Sequence, residues 1–268
     1  MRLPERALVA FGLLAFVPAG ASAWPADAVA AISRDARKLL PRSLSRLLGE
    51  REAQVLDELR RFPPGLSQAL AEDLPGGRLR PDTVAGLEAQ ADRVIELLKE
   101  GQVSQGVVRL GGLLRIPADL SDPVLAVGPE GWPPGVTREY YALFAANLHR
   151  MPVVLDDPEA LKLSRKDLPA MWQSLVERSR VQAPVIRTEL FRGGRVVDHR
   201  QLDYRSPAWA VSSIAYSRAV TATAATWLAV WRASRGDTTR MPRAREVRPQ
   251  DPGSALADDR RPPAPEAP

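Results

Sequence analysis

Cysteine is absent from the 268 residues of this chain, and histidine occurs only twice. Without cysteine the chain makes no disulfide bond, so its stability has to come from core packing alone. The same shortage limits metal chemistry, because zinc prefers nitrogen and sulfur ligands and three clustered zinc ions need about nine protein ligands. Carboxylates alone suit calcium or magnesium better. The composition therefore argues against a multi-zinc hydrolytic site.

Lysine is also scarce, since only Lys38, Lys99, Lys162 and Lys166 accompany the arginines among 37 basic residues. The arginines are scattered and mixed with 32 acidic residues, and the net charge is +5. Proteins that neutralise successive nucleic-acid phosphates use clustered basic residues, which this sequence does not have. The pattern predicts a solvated, arginine-rich surface with no specific nucleic-acid signal, and it leaves anionic lipid open as an alternative partner.

The first 23 residues have the three-part form of a secretory signal peptide. Arg2 and Arg6 supply a positive start, Ala7 to Val17 form a short apolar run, and Ala21-Ser22-Ala23 has the small residues that signal peptidase accepts. The run is shorter than the roughly 20 residues that span a bilayer, which disfavours an uncleaved anchor. Cleavage after Ala23 would make Trp24 the N-terminus of a periplasmic or secreted protein. The lack of cysteine excludes a lipid-anchored precursor.

Apolar residues recur at helical spacing through most of the remaining sequence, which predicts a mainly α, multi-helix bundle over residues 24–235. The clearest amphipathic helix runs from Pro81 to Leu98 and is ended by Gly101. Proline and glycine clusters at 63–65 and 75–77 separate shorter segments. Further helices are expected from Ala28 to Leu40, Leu44 to Leu59, Leu66 to Leu74, Gln105 to Leu120, Arg138 to Leu148 and Asp157 to Arg180, the last with a weak point at Pro169.

One β element is expected, a hairpin between Val185 and Leu202 with Gly193-Gly194 at its turn. Ser206-Pro207 then begins a long helix that runs to about Ser234. This helix is long enough to span a membrane, but Arg218 at its middle would cost roughly 2.5–3.5 kcal/mol on insertion, which favours a packed helix in the bundle. Residues 236–268 lose the apolar periodicity and end in proline-rich sequence, which predicts a disordered tail.

Two segments carry a likeness to a known family. The first is Trp24 followed by Val29, Ile32, Ala36 and Leu40-Pro41, and the second is Leu-Gly-Gly-Leu-Leu-Arg-Ile-Pro-Ala-Asp-Leu-Ser-Asp-Pro-Val-Leu at 110–125. Together they resemble the zinc-dependent phospholipase C family, which includes the single-strand-specific nucleases. The resemblance implies an all-helical, exported protein that hydrolyses phosphodiesters with three clustered zinc ions. One of those ions is bound by the α-amino group and carbonyl of an N-terminal tryptophan.

By the same resemblance, Trp24 and Asp119 are the two retained metal-ligand positions. Family histidines are replaced by Val29, Arg115 and Leu125. Arg115 places a fixed positive charge one turn from Asp119, where the family holds a metal, and this predicts a buried ion pair in place of the metal bridge. No cofactor is therefore expected, with zinc as the alternative if the chain is still an enzyme.

The two histidines have simple structural interpretations. His149 lies at the end of a helical segment, where a cation interacts well with the last carbonyl groups. His199 lies in the expected hairpin near Asp198 and Asp203, so a His–Asp general base is an alternative, although no nucleophile accompanies it.

Three other features also favour structural roles over chemistry. Asp119 and Asp122 would share a helix face as a carboxylate pair, but the sequence Ser-Asp-Pro at 121–123 also indicates a helix end. Ser212 and Ser213 belong to a small-residue helix without a nucleophile motif. Gly111-Gly112 predicts close helix packing.

These observations support two functional hypotheses. The first is an exported helical protein on a phospholipase C scaffold, degenerate and non-catalytic, with a binding or structural role in the periplasm or envelope. The alternative is a divergent phosphodiester hydrolase that acts on phospholipid or nucleic acid through Trp24, Asp119 and a reduced metal site. The two hypotheses differ in whether those two residues hold metal.

Overall fold

The structure is a computed structural model that describes residues 24–155 and 157–242. Within those ranges it is mainly helical with one small antiparallel hairpin, which confirms the predicted fold class. The predicted signal peptide and residues 243–268 of the predicted tail lie outside the described residues. The helices and strands are α1 (Ala26–Arg37), α2 (Arg42–Glu50), α3 (Glu52–Glu58), α4 (Pro64–Asp73), α5 (Pro81–Lys99), α6 (Val103–Leu120), α7 (Val136–Asn147), α8 (Leu168–Leu190), β1 (Phe191–Arg192), β2 (Arg195–Val196) and α9 (Pro207–Ala233).

Prolines begin many of these helices. Pro64, Pro81, Pro169 and Pro207 each occupy a first-turn position of a helix, where the missing N–H has no intrahelical partner to lose. The expected helix from Asp157 to Arg180 is therefore wrong in its bounds, because Pro169 marks a helix start and not a weak point. Short 3-10 turns cover 158–162 and 165–167, and α8 then begins at Leu168.

Helices α6 and α9 form the centre of the bundle. Along α9 nearly every residue from Val211 to Trp231 is buried, and most are alanine, serine or threonine, which lets α1, α5, α6 and α8 approach its backbone closely. The Trp227 indole N–H donates a hydrogen bond of 2.7 Å to the carbonyl of Leu110 and joins the two central helices. Among the residues that the structure describes, no helix is both long and apolar enough to cross a membrane.

Close packing against α6 depends on one of its two adjacent glycines. A Cβ added to Gly111 would lie 2.7 Å from the carbonyl carbon of Val55, so α3 reaches its position only because that side chain is absent. A Cβ at Gly112 would meet only the Glu58 side chain at an ordinary 3.8 Å. The predicted packing role is therefore confirmed for Gly111 and wrong for Gly112.

The hairpin is shorter than the sequence predicts. Helix α8 continues past Pro184 to Leu190, so Val185 and Ile186 are helical and only β1 and β2 remain extended. Ile186 and Leu190 are fully buried four residues apart, which is the spacing of a helix face. The Gly193-Gly194 turn is confirmed, and both glycines have the positive φ that a tight hairpin needs.

The chain beyond α9 keeps contact with the bundle for several residues. The Asp237 carbonyl accepts hydrogen bonds from the Trp231 indole N–H at 2.8 Å and from the Ser43 hydroxyl at 2.9 Å. Met241 also packs against the core. The first part of the predicted tail therefore lies on the surface formed by α2 and α9.

Candidate functional site

The last two turns of α6 carry a buried ion pair. Arg115 and Asp119 lie four residues apart on one face, and Arg115 Nε donates to Asp119 Oδ2 at 2.8 Å. The two residues are only 6% and 4% exposed. The Arg115 guanidinium also lies 5.8 Å from the centre of the Phe62 ring, within cation–π range. The expected ion pair is thus present in the core.

An acidic residue in this place needs such a partner. Asp119 lies in the last turn of α6, where the negative end of the helix dipole disfavours a carboxylate. Arg115 offsets both that dipole and the cost of burying the charge. A guanidinium keeps its proton in proteins and offers only donors, so it cannot ligate a metal ion. The arginine therefore places beside Asp119 a group that repels cations.

Trp24 lies beside this pair. It is 2% exposed, and its indole N–H donates to the carbonyl of Ala118 at 2.8 Å, one residue before Asp119. Its ring contacts Phe144 of α7 edge to face, with the ring centres 4.5 Å apart. The carbonyls in the last turn of a helix have no intrahelical partner, and Trp24 satisfies one of them. The fold thus brings Trp24 to the carbonyl of Ala118, the residue before Asp119, at one end of α6.

Val29 and Leu125, which the sequence analysis compared with family histidines, are both apolar residues of the core. Val29 of α1 is 4% exposed. Leu125 is partly buried against the same core cluster. Neither side chain offers a metal ligand.

Asp122 is fully buried just after α6. Its Oδ2 accepts the Tyr141 hydroxyl at 2.7 Å, and its Oδ1 accepts the Val124 backbone N–H at 2.8 Å. Burial raises the pKa of this carboxyl to about 7, although both hydrogen bonds pull it down and the charge on Asp119 adds to the increase. Helix α6 ends at Leu120, so Asp122 caps the following turn and does not share a helix face with Asp119. The helix-end interpretation is therefore the one that the structure supports.

A second polar cluster lies between α7 and the 3-10 turn that follows β2. His199 Nδ1 lies 2.9 Å from Glu139 Oε2, and the His199 backbone N–H donates to the same oxygen at 3.2 Å. These hydrogen bonds lower the pKa of Glu139 to about 2. Asp198 Oδ1 lies 3.5 Å from the same ring nitrogen. The main partner of His199 is thus Glu139, which the sequence interpretation missed.

The other residues proposed from the sequence have structural surroundings. Asp203 Oδ1 accepts the Arg205 backbone N–H, and the Asp203 carbonyl accepts the Ser206 hydroxyl, so this residue shapes the start of α9. His149 is exposed in the 3-10 turn after α7 and accepts a hydrogen bond from Arg150. The Ser212 hydroxyl is buried and donates to Ala208 one turn earlier.

A surface cleft of about 330 Å³ opens between α3, α5 and α6. Glu58 in its wall is 4% exposed and pairs with Arg109 and, at 3.7 Å, with Arg61. Phe62 and Leu113 add apolar surface. The cleft offers both charge signs next to apolar surface, which suits binding of a mixed-polarity group.

Some arginines outside this cleft are also paired with acids. Arg165 bonds Glu88 and Asp92 of α5 at 2.8–2.9 Å. Such pairing offers anionic lipid fewer available cations than the residue count implies.

Comparisons with known proteins give no relative for this chain. No protein-family model matches it, and neither a curated protein nor a solved structure shows significant similarity to it.

Proposed function

We propose that this chain is an exported helical protein on a scaffold of the phospholipase C type that has lost catalysis and acts by binding or as a structural component of the periplasm or envelope. One observation carries the proposal: the buried Arg115–Asp119 ion pair at the place where the resembled family holds a metal. A cation brought to Asp119 would have to displace a charge-assisted hydrogen bond of 2.8 Å and tolerate a neighbouring guanidinium.

The surroundings of Trp24 support the same proposal. Its indole N–H donates a hydrogen bond to the carbonyl of Ala118, and its ring packs against Phe144. Both contacts stabilise the fold whether or not metal is present. A tryptophan retained at this position therefore has a packing role of its own, and its presence does not require catalysis. The cleft beside Phe62 provides surface for a binding role.

The experiment introduces histidine at the three positions where the resemblance implies a zinc ligand and this chain has none. We expect the mature wild-type chain with added zinc to hydrolyse bis-p-nitrophenyl phosphate no faster than zinc alone. The triple variant Val29→His, Arg115→His, Leu125→His should gain zinc binding that is lost again on Asp119→Asn. The zinc-binding measurements on the triple variant are made with His199→Gln added, so that zinc held by His199 does not contribute.

Two results would contradict the proposal in different ways. Zinc-dependent hydrolysis by the wild-type chain that disappears in Asp119→Asn would establish the alternative, a divergent phosphodiester hydrolase with a reduced metal site. A folded triple variant that gains no zinc would remove the phospholipase C scaffold as the explanation of the Trp24–Asp119 arrangement.

A further inference from the structure

Three metal-ligating side chains converge outside the Arg115–Asp119 region. One ligand atom each from Glu139, Asp198 and His199 lie within 4.8 Å of one another. Helix α7 positions Glu139, and the 3-10 turn at 199–201 positions the other two. Sixty residues separate the glutamate from the histidine, so only the fold brings them together.

The two distances from the histidine nitrogen are close to those around a single metal ion. Ligand atoms bound at about 2.0–2.2 Å to a tetrahedral zinc ion lie roughly 3.3–3.6 Å from one another. His199 Nδ1 lies 2.9 Å from Glu139 Oε2 and 3.5 Å from Asp198 Oδ1. Side-chain shifts of about 0.4 Å would therefore bring the histidine and glutamate atoms to ligand spacing. We propose that Glu139, Asp198 and His199 form a site for one divalent transition metal ion, with zinc as the reference ion.

The donor set selects this class of ion. One imidazole nitrogen with two carboxylates suits zinc and its neighbours in the transition series, whereas calcium and magnesium prefer oxygen ligands alone. In this geometry Nδ1 carries a proton, because the ionised Glu139 carboxylate can only accept. Metal binding at Nδ1 requires the other neutral tautomer, so the single ring proton moves from Nδ1 to Nε2 when the ion binds.

The surroundings orient the ligands without closing the site. Arg138 holds the other oxygen of Glu139, Oε1, at 3.0–3.1 Å and leaves Oε2 directed at the histidine. The Arg138 side chain is 81% exposed, so solvent screens its charge, which it does not do for the buried Arg115. Asp198 Oδ1 accepts the Arg200 backbone N–H at 2.8 Å, which fixes the turn that carries both ligands. The Asp198 side chain is 49% exposed, so solvent can reach the ion and supply its fourth ligand.

The histidine content of the chain provides a matched control. His149 is the second histidine of the sequence and lies exposed in the turn after α7. Its ring nitrogen accepts a hydrogen bond from Arg150. Zinc that binds histidine without regard to the site would lose equal affinity in His149→Gln and His199→Gln.

The test is calorimetric titration of the untagged mature chain with zinc chloride. We expect one ion per chain, with affinity reduced about tenfold or more in His199→Gln and unchanged in His149→Gln. Absence of zinc binding, or equal affinity in the His199 variant and the wild type, would overturn the proposal.

A second variant allows the test to be made even if His199→Gln does not fold. Asp198→Asn keeps the capping oxygen of the turn but removes the charge, so the fold should persist. If His199→Gln does not fold, a drop of about tenfold in Asp198→Asn supports the site and unchanged affinity overturns it. This site is independent of the proposed function, because its zinc depends on His199 and not on Asp119.

Discussion

Replacing Asp119 by alanine tests the buried ion pair directly. The substitution leaves the Arg115 guanidinium in the core without the carboxylate 2.8 Å away, and arginine cannot escape the cost by losing its proton. Breaking a buried pair on one side costs about 3–5 kcal/mol. In a domain of this size each kcal/mol lowers the melting temperature by about 2–4 °C, so we expect a decrease of about 6–20 °C. Urea denaturation and thermal melting of the chain from Trp24 onward both measure the effect.

An exposed pair of the same spacing is the control. Arg46 and Glu50 of α2 also place arginine four residues before an acid, but their side chains are 74% and 53% exposed. Glu50→Ala should cost under about 1 kcal/mol. The double variant Arg115→Met, Asp119→Leu should recover most of the loss, because two apolar groups replace two buried charges. If Asp119→Ala is as mild as Glu50→Ala, the reasoning from burial is refuted.

Two further predictions concern residues near α6. Gly111→Ala should lower the free energy of unfolding by about 1–3 kcal/mol, because the new Cβ overlaps the Val55 backbone. Gly112→Ala should be neutral or raise the free energy of unfolding by about 0.4–1 kcal/mol. Equal urea midpoints for the two variants would contradict this prediction. The carboxyl of Asp122 has a folded-state pKa of about 7, above the roughly 3.9 of an unfolded chain. The contribution of its protonated form to the free energy of unfolding is therefore fully present below pH 4 and is lost as pH rises through 7. Between pH 4 and pH 8 the free energy of unfolding of the wild type should therefore fall by on the order of a few kcal/mol relative to that of Asp122→Asn. If the free energies of unfolding of the two proteins change in parallel with pH, ionisation of this carboxyl does not affect stability.

The sequence predicted interactions between residues that are close together in the chain, and it missed those between distant residues. Arg115 and Asp119 are one helical turn apart, so their pairing depends only on α6 forming and becoming buried. The hairpin was overextended because a short apolar run such as Val185-Ile186 fits a strand or a buried helix equally well. The Glu139–His199 contact gave no local signal, because sixty residues separate its members.

By itself the sequence determined the helical class, the glycine turn at 193–194, the helix starts at Pro81 and Pro207 and the shortage of metal donors. Each of these depends on composition or on residues within a few positions of one another. Only the tertiary structure decided that Trp24 meets the end of α6, that Asp122 is buried enough to raise its pKa, and that Glu139 joins His199. The physical reason is that desolvation and long-range hydrogen bonding depend on which helices pack together. That packing is set by the whole core and not by any one segment.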